Sequence, residues 1–321
     1  MCVNGIFREV VRSTCLGEND IVPNTTVRSS DNRLIEIEYA TSGSPSNPAI
    51  LMIMGYTAQM IVWPQDFCQI LADAGYYVII FDNRDCGLST HLDGVIVDTG
   101  PIIMAAMTDQ PIPPIPYSLS DMATDAVGVL DHLGIERAHV IGMSLGGMIA
   151  QVVAYEHRRR TITLTSISSQ PGDPDVGQPS MDAAMVIFAD PLPTTSREDY
   201  IASSVQWQVW QSKKYRSDEL SYAAAAASYD RAFYPEGAPR QLAAVYGSGR
   251  RHEQVATISC PTLVIHGTDD QLIVQSGGER TAELIPGSKL LLIDDMGHDL
   301  PQPLWPVLIG AILDHVGQVV A

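Results

Sequence analysis

The chain has 321 residues, enough for two domains or for one large α/β domain that carries an insertion. Hydrophobic residues make up 45% of it and charged residues 17%, so it can bury a sizeable core and is not disordered as a whole. The net charge of -18 comes from 19 basic and 37 acidic residues, which argues against a nucleic-acid or anionic-membrane partner.

The cysteines and the N-terminus indicate where the protein acts. Five cysteines are scattered without a CxxC pair, so neither a disulfide framework nor a cysteine zinc site is indicated. Residues 1–23 form an N-terminal extension that lacks the basic start and the apolar stretch of a signal peptide. No HExxH motif or nucleotide-binding glycine loop occurs. We therefore expect a soluble, cytoplasmic protein with no membrane contact, no metal and no cofactor.

The first half of the chain alternates strand and helix patterns. Residues 34–40 alternate apolar and polar side chains, and residues 24–29 can pair with them as an antiparallel hairpin. One-sided apolar patterns predict helices at 64–74 and 120–133. Short unbroken apolar runs are typical of strands buried on both faces of a parallel sheet, and they lie at 49–54, 77–82 and 138–143.

The second half resumes this alternation, which predicts an α/β fold with a doubly wound, mostly parallel eight-stranded sheet and an opening antiparallel hairpin. The predicted elements are a helix at 145–157, strands at 161–168 and 261–266, a helix at 276–285, a strand at 289–294 and a closing helix.

Two long segments interrupt the alternation. Residues 170–258 have the pattern of several helices with proline-rich joints, and residues 91–118 are rich in Pro, Ile and Met. Long loops inside a compact domain are usually functional, and apolar content favours a lid over disorder. We predict that 24–169 and 259–321 form the core and that 170–258 is a helical cap; an insertion that only packs on the core is the alternative.

The run Gly142-Met143-Ser144-Leu145-Gly146 fits the pattern G-x-S-x-G. The pattern alone is a weak signal, but here it falls where an apolar strand ends and a helix begins. In that setting the serine occupies a strained turn beside the amides at the helix N-terminus. Ser144 is therefore the candidate nucleophile, and a turn that merely happens to contain a serine is the alternative.

A serine hydroxyl needs a base, which a histidine held by a carboxylate supplies. Among the eight histidines, His298 follows the last predicted strand, at the edge where open α/β sheets bind ligands. The carboxylate should follow the strand at 261–266, so that the chain order is Ser, Asp, His. By position, both Asp269 and Asp270 qualify.

With three further blocks, these residues make the chain resemble the α/β-hydrolase superfamily from about residue 24 onward. The blocks are Met54-Gly55, Trp63-Pro64 and the run FDNRDCGLS at 81–89. Within the superfamily, the chain resembles serine esterases of the aclacinomycin methylesterase type, which hydrolyse methyl esters of polyketides. Family members usually have His-Gly where this chain has Met54-Gly55; a backbone donor needs no particular side chain, so an oxyanion hole can survive the change.

The resemblance implies roles for individual residues. Asp270 stands at the acid position of the family pattern His-Gly-x-x-Asp. The backbone amides of Tyr56 and Leu145 are the implied oxyanion donors. Asp82 and Arg84 are expected to form a structural ion pair that holds the loop after their strand.

We predict a serine hydrolase that cleaves carboxylic esters through a Ser-His-Asp triad and an acyl-enzyme, with a small-molecule ester and water as its partners. Basic residues are few near the strand ends, which favours an uncharged, bulky or apolar ester. About half of the cap aromatics should form the cap's own core. The candidate pocket residues are Gly55, Met143, Trp207, Trp210 and Tyr234.

Other functions use the same fold and triad. They include cofactor-free haloperoxidases, lactonases and C–C bond hydrolases, and a receptor could keep the triad to bind a small ligand. Ser144 excludes haloalkane dehalogenase and epoxide hydrolase chemistry, which needs a carboxylate nucleophile. Exposed aromatics in the predicted cap could support a homodimer.

Overall fold

The computed structural model describes residues 24–28, 33–189 and 196–319, so the predicted N-terminal extension lies outside the described residues. Within these ranges, eight strands form one sheet in the order β1-β2-β4-β3-β5-β6-β7-β8. The strands are β1 (Asn24–Arg28), β2 (Leu34–Ser42), β3 (Ala49–Ile53), β4 (Tyr77–Phe81), β5 (Ala138–Met143), β6 (Thr161–Ile167), β7 (Thr262–Gly267) and β8 (Lys289–Ile293).

Helices connect these strands in the described parts of the chain. The α-helices are α1 (Gln65–Asp73), α2 (Thr99–Met107), α3 (Leu119–His132), α4 (Leu145–Glu156), α5 (Met181–Ile187), α6 (Arg197–Ser203), α7 (Asp218–Arg231), α8 (Ala238–Gly247), α9 (His252–Val255), α10 (Ser276–Leu284) and α11 (Trp305–Gly317). Short 3₁₀ turns occur at Met60–Val62, Arg158–Arg160, Ser204–Val209, Pro235–Gly237 and Gln302–Leu304.

The sheet is parallel from β3 to β8 and ends in an antiparallel hairpin. β2 pairs antiparallel with β4, and β1 pairs antiparallel with β2. The remaining neighbours are parallel. The predicted fold class is therefore confirmed. Because parallel strands end at the same edge of a sheet, the loops after β3, β5, β7 and β8 are brought to one side of the molecule.

Both faces of the sheet are covered, and β3 shows how. Every residue of β3 is buried. Leu51 and Ile53 pack with α3 and α4 in one hydrophobic cluster, whereas Ile50 and Met52 pack with α1 and α11 in the other. Alternate side chains of a strand point to opposite faces, so an unbroken apolar run suits a strand buried on both sides.

The segment 170–258 lies between β6 and β7 and is called the inserted segment below. It contains α5 to α9, and α8 packs against α2 from the other predicted interruption. An aromatic cluster lies within it, formed by Tyr200, Trp207, Tyr229 and Phe233, with ring centroids 4.5 to 5.7 Å apart. Among the described residues, no helix is long and apolar enough to cross a membrane.

Candidate active site

Ser144 occupies the sharp turn between β5 and α4. Its φ of 57° lies in the left-handed region, which is unfavourable for a residue with a side chain. A Cβ on Gly142 would overlap the carbonyl oxygen of Gly146, and a Cβ on Gly146 would overlap that of Ile53. Both glycines are therefore required for α4 to fold back over the sheet, as the G-x-S-x-G pattern predicts.

Asp270 and His298 meet at the same edge of the sheet. Asp270 follows β7 and is 2% exposed; its Oδ1 accepts hydrogen bonds from the amides of Leu272 (2.9 Å) and Ile273 (3.0 Å). Its Oδ2 lies 2.7 Å from His298 Nδ1, and a carboxylate can only accept, so the ring donates from Nδ1. In the neutral ring, Nε2 is then left as the acceptor.

Asp269 and His266 lie next to this pair, and His266 Nε2 is 3.6 Å from Asp270 Oδ2. Asp269 Oδ1 lies 3.4 Å from Nζ of the exposed Lys213. His266 is fully buried, donates from Nε2 to the Ile273 carbonyl oxygen (2.7 Å), and has its pKa lowered by burial. Of the two carboxylates that the sequence left open, the geometry thus brings Asp270 to His298. Among the described residues, no hydrogen bond joins Ser144 Oγ to the His298 ring.

The loop that carries His298 is held by the inserted segment. The His298 amide donates to the Trp210 carbonyl oxygen (2.7 Å), and the Ser212 amide donates to Asp299 Oδ1 (3.0 Å). A Cβ on Gly297 would overlap the backbone of Gln211 and Ser212. The close backbone packing fixes the position of His298, and it depends on a glycine directly before the histidine.

Asp299 is a partly buried carboxyl beside this histidine. Burial raises its pKa to about 6, against the lowering effect of the Ser212 and Gly297 amides and of His298. Since the folded pKa lies above the unfolded value, the carboxyl stabilises the fold below about pH 4 and loses that contribution as the pH rises through about 6.

An Asp299→Asn variant tests this contribution. The asparagine side chain keeps an oxygen that accepts from the Ser212 amide but carries no charge. At pH 8 the variant should therefore be more stable than wild type, with a free energy of unfolding larger by about 1 to 2 kcal/mol. The difference should shrink at pH 5. Urea unfolding of both proteins at the two pH values measures it, and an equal difference at both would contradict the assignment.

The turn after β3 approaches the serine closely. A Cβ on Gly55 would lie 3.0 Å from Ser144 Cβ, and the turn closes with the Ala58 amide donating to the Gly55 carbonyl oxygen (3.3 Å). Tyr56, the next residue, is partly buried, and burial raises the pKa of its hydroxyl. Leu145 is the first residue of α4, where helical amides lack an acceptor within the helix.

A cavity of about 30 Å³ lies near the start of α4, where Met148 lines it. The Ser144 carbonyl oxygen accepts from the Met148 amide (3.1 Å) and from Ser169 Oγ (2.8 Å), and the cavity borders Met148 and the residue after Ser169. This volume holds a water or two and is too small for a bulky organic ligand. Its lining includes Met107, Met148, Gln170, Tyr246 and Arg251.

The sequence did not single out these lining residues. Met148 lies one helical turn after Ser144, and Gln170 follows β6 at the same edge of the sheet. These positions are the features of the sequence from which their place near Ser144 could have been predicted. Arg251 is 3% exposed and donates to the Gln170 carbonyl oxygen (2.9 Å). Arg250 and Arg251 are adjacent late in the inserted segment, and no pattern in the sequence predicts that Arg251 is the one that is buried.

The predicted pocket aromatics have packing roles in the structure. Trp207 belongs to the aromatic cluster of the inserted segment. Tyr234 stacks on the His91 ring with centroids 3.6 Å apart, and its hydroxyl donates to Asp93 Oδ1 (2.8 Å). Trp210 contacts the site through its carbonyl oxygen. Met143, the last residue of β5, is buried, and its pocket role stays a prediction.

Asp82 and Arg84 do not pair with each other, so the expected ion pair is wrong. Arg84 forms a bidentate pair with Asp125 (2.6 and 2.7 Å), and both side chains are almost fully buried. Asp82 instead pairs with Arg231 of α7 (2.7 Å). Both residues are structural as expected, but they anchor the loop after β4 to α3 and to the inserted segment.

Removal of the Asp125 carboxylate should destabilise the protein strongly. Asp125→Ala leaves the buried Arg84 guanidinium without that carboxylate, and we expect a loss of about 3 to 5 kcal/mol in the free energy of unfolding. The control is Asp230→Ala, which removes a bidentate pair with Arg197 that is exposed and should change stability far less. Denaturant unfolding compares them; similar losses would contradict this reading.

A family model described as alpha/beta hydrolase fold matches residues 48–301, and the chain belongs to this family. A rhodomycin D methylesterase from a Streptomyces species (strain C5) is 28% identical over 298 residues, which cover 85% of this chain and 92% of that protein. A 3-oxoadipate enol-lactonase from Acinetobacter baylyi is 22% identical, covering 81% of this chain and 85% of that protein.

Solved structures share the fold. An enol-lactonase from Burkholderia xenovorans LB400 superposes with a TM-score of 0.67 at 18% identity, covering 91% of this chain and 100% of that chain. A meta-cleavage product hydrolase from Pseudomonas fluorescens gives a TM-score of 0.69 at 18% identity, covering 92% and 98%. At these identities the likeness concerns the fold.

Proposed function

We propose that this chain is a carboxylic ester hydrolase that uses Ser144, His298 and Asp270 as its catalytic residues. The observation that carries the proposal is the hydrogen bond between His298 and Asp270 at the sheet edge where the strained Ser144 turn also lies. The hydrogen bond orients the imidazole and leaves Nε2 free to act as a base. The rhodomycin D methylesterase relative supports the reaction class.

The reaction follows from the roles of these groups. His298 Nε2 takes the proton of the Ser144 hydroxyl as Ser144 Oγ bonds to the ester carbonyl carbon. The tetrahedral oxyanion is held by the amides of Tyr56 and Leu145, each contributing about 3 kcal/mol to the lowering of the barrier. His298 then gives the proton to the departing alcohol, which leaves an acyl-enzyme. Water, activated by His298, hydrolyses the acyl-enzyme and restores Ser144.

The substrate class follows from the relatives that this chain resembles. Rhodomycin D methylesterases are among the relatives, and a methyl ester on a bulky, polycyclic acyl group is the substrate that we propose. The inserted segment 170–258 acts as the cap over this site.

A substrate panel tests the proposal. Wild-type protein is assayed with p-nitrophenyl acyl esters, methyl esters of polycyclic aromatic acids, and an enol-lactone, each against a Ser144→Ala background. We expect turnover of the uncharged esters, with bulky methyl esters preferred. A protein that binds these compounds without hydrolysing any of them would be a receptor, and exclusive turnover of the lactone would reassign it as a lactonase.

A further inference from the structure

Gln241 is a fully buried side chain of α8 that binds two loops of the core. Its Oε1 accepts from the Thr57 amide (2.8 Å), and its Nε2 donates to the Arg84 carbonyl oxygen (2.8 Å). Only this orientation of the side-chain amide satisfies both partners, since one offers a donor and the other an acceptor. Gln241 thus connects the inserted segment to the turn that approaches Ser144.

That turn has an unfavourable backbone conformation. Thr57 has a φ of 54°, in the left-handed region that glycine adopts easily and a β-branched residue does not. Within the turn, the Ala58 amide donates to the Gly55 carbonyl oxygen (3.3 Å), and the Thr57 hydroxyl donates to the Tyr56 carbonyl oxygen (2.8 Å). Strained residues of this kind persist only where the surroundings hold them.

The position of Gln241 is itself fixed. Arg240, the preceding residue, forms a bidentate pair with the buried Asp85 (2.8 and 2.8 Å). A Cβ on Gly237, just before α8, would overlap the Asp85 carbonyl oxygen. The start of α8 is therefore packed tightly on the loop after β4. This packing holds Gln241 Oε1, which accepts from the Thr57 amide, in a fixed position.

We propose that Gln241 is a positioning residue for the oxyanion hole. By accepting from the Thr57 amide, it fixes the Tyr56–Thr57 peptide and keeps the strained turn from relaxing. The amide of Tyr56, one peptide earlier, stays directed at the oxyanion beside Ser144. The inference rests on the proposed function, because it concerns the donor assigned there.

Gln241→Met tests this role, because methionine keeps the length of the side chain but removes both hydrogen bonds. We expect kcat for a p-nitrophenyl ester to fall about 10-fold with KM within about twofold of wild type, since the lost interaction acts on the transition state. Gln208→Met is the matched control; it removes a side-chain hydrogen bond to Asp218 elsewhere in the inserted segment and should leave both constants unchanged.

A second substitution at residue 57 distinguishes the positioning role from a packing role. Glycine adopts the left-handed conformation without strain, so Thr57→Gly should return the Gln241→Met variant to within about threefold of the wild-type kcat. If Gln241 served only to pack α8, Thr57→Gly would not restore kcat. If Gln241→Met does not fold, Gln241→Glu is the second variant. Burial favours its neutral carboxyl, which accepts from the Thr57 amide and donates to the Arg84 carbonyl oxygen, so kcat should stay within about threefold of wild type.

The outcomes separate the two proposals. If wild type turns over no ester, the proposed function fails and the positioning role fails with it. If wild type is active and Gln241→Met matches it, only the positioning role fails. A loss of kcat that Thr57→Gly does not restore, or a Gln241→Glu variant as impaired as Gln241→Met, would also overturn the role of Gln241.

Discussion

Ser144→Ala is expected to lower kcat for ester hydrolysis by about 10⁵- to 10⁶-fold, because no other group can take over the covalent step. KM should change little, since the hydroxyl contributes little to ground-state binding. The variant should also fold at least as well as wild type, because alanine removes no hydroxyl contact on which the turn depends.

The control for this variant is Ser120→Ala, which removes a serine hydroxyl on α3 that donates to Glu156. It should retain wild-type kcat. Circular dichroism and thermal unfolding show whether each variant is folded. A folded Ser144→Ala protein that keeps more than about a tenth of the wild-type kcat would contradict the assignment of Ser144 as nucleophile.

Asp270→Asn is expected to lower kcat by about 10⁴-fold. The side-chain oxygen can still accept from the Leu272 and Ile273 amides, but the amide nitrogen then faces His298 Nδ1. The ring must accept at Nδ1 and carry its proton on Nε2, so it can no longer take the proton of Ser144. The loss should therefore appear in kcat and only weakly in KM.

Asp269→Asn is the matched control, because it makes the same change at the adjacent carboxyl, which pairs with Lys213 at the surface. Its kcat should equal that of wild type. Steady-state kinetics of both variants on one p-nitrophenyl ester decide the matter. Equal losses in the two variants, or a larger loss at Asp269, would show that the carboxylate is assigned to the wrong residue.

The fold could be predicted because its signals are local. The unbroken apolar runs at 49–54, 77–82 and 138–143 correspond to β3, β4 and β5, whose residues are buried throughout. Burial on both faces leaves no polar alternation, and that pattern can be recognised without knowing the neighbouring strands. The glycines at 142 and 146 could likewise be interpreted, because a tight strand-to-helix turn excludes side chains there.

The partners of charged groups could not be predicted in the same way. Asp82 and Arg84 are two residues apart, yet their partners Arg231 and Asp125 lie 149 and 41 residues away along the chain. Such pairs are decided by how helices dock on the sheet, which local patterns do not encode. Sequence position alone also left Asp269 and Asp270 open, because the turn geometry decides which of two adjacent side chains faces His298.

The inserted segment was the hardest part to interpret from sequence. Trp207 packs in the aromatic cluster and Tyr234 stacks on His91, contacts that the sequence did not predict, and their pocket role stays a prediction. Gln241 left no signal, since its partners are backbone groups of residues that carry no motif for it. A side chain that binds backbone atoms can be recognised only once the chain is folded.

Labelling with a fluorophosphonate ester tests the central claim most directly, because it reports the nucleophile without depending on the natural substrate. The activated serine oxygen bonds to phosphorus and fluoride leaves, so one phosphonyl group should be added per chain. We predict that peptide mapping places it on Ser144 and that esterase activity falls in proportion to labelling. Esterase activity that persists while Ser144 is fully labelled, or inactivation with the label on another residue, would contradict the account.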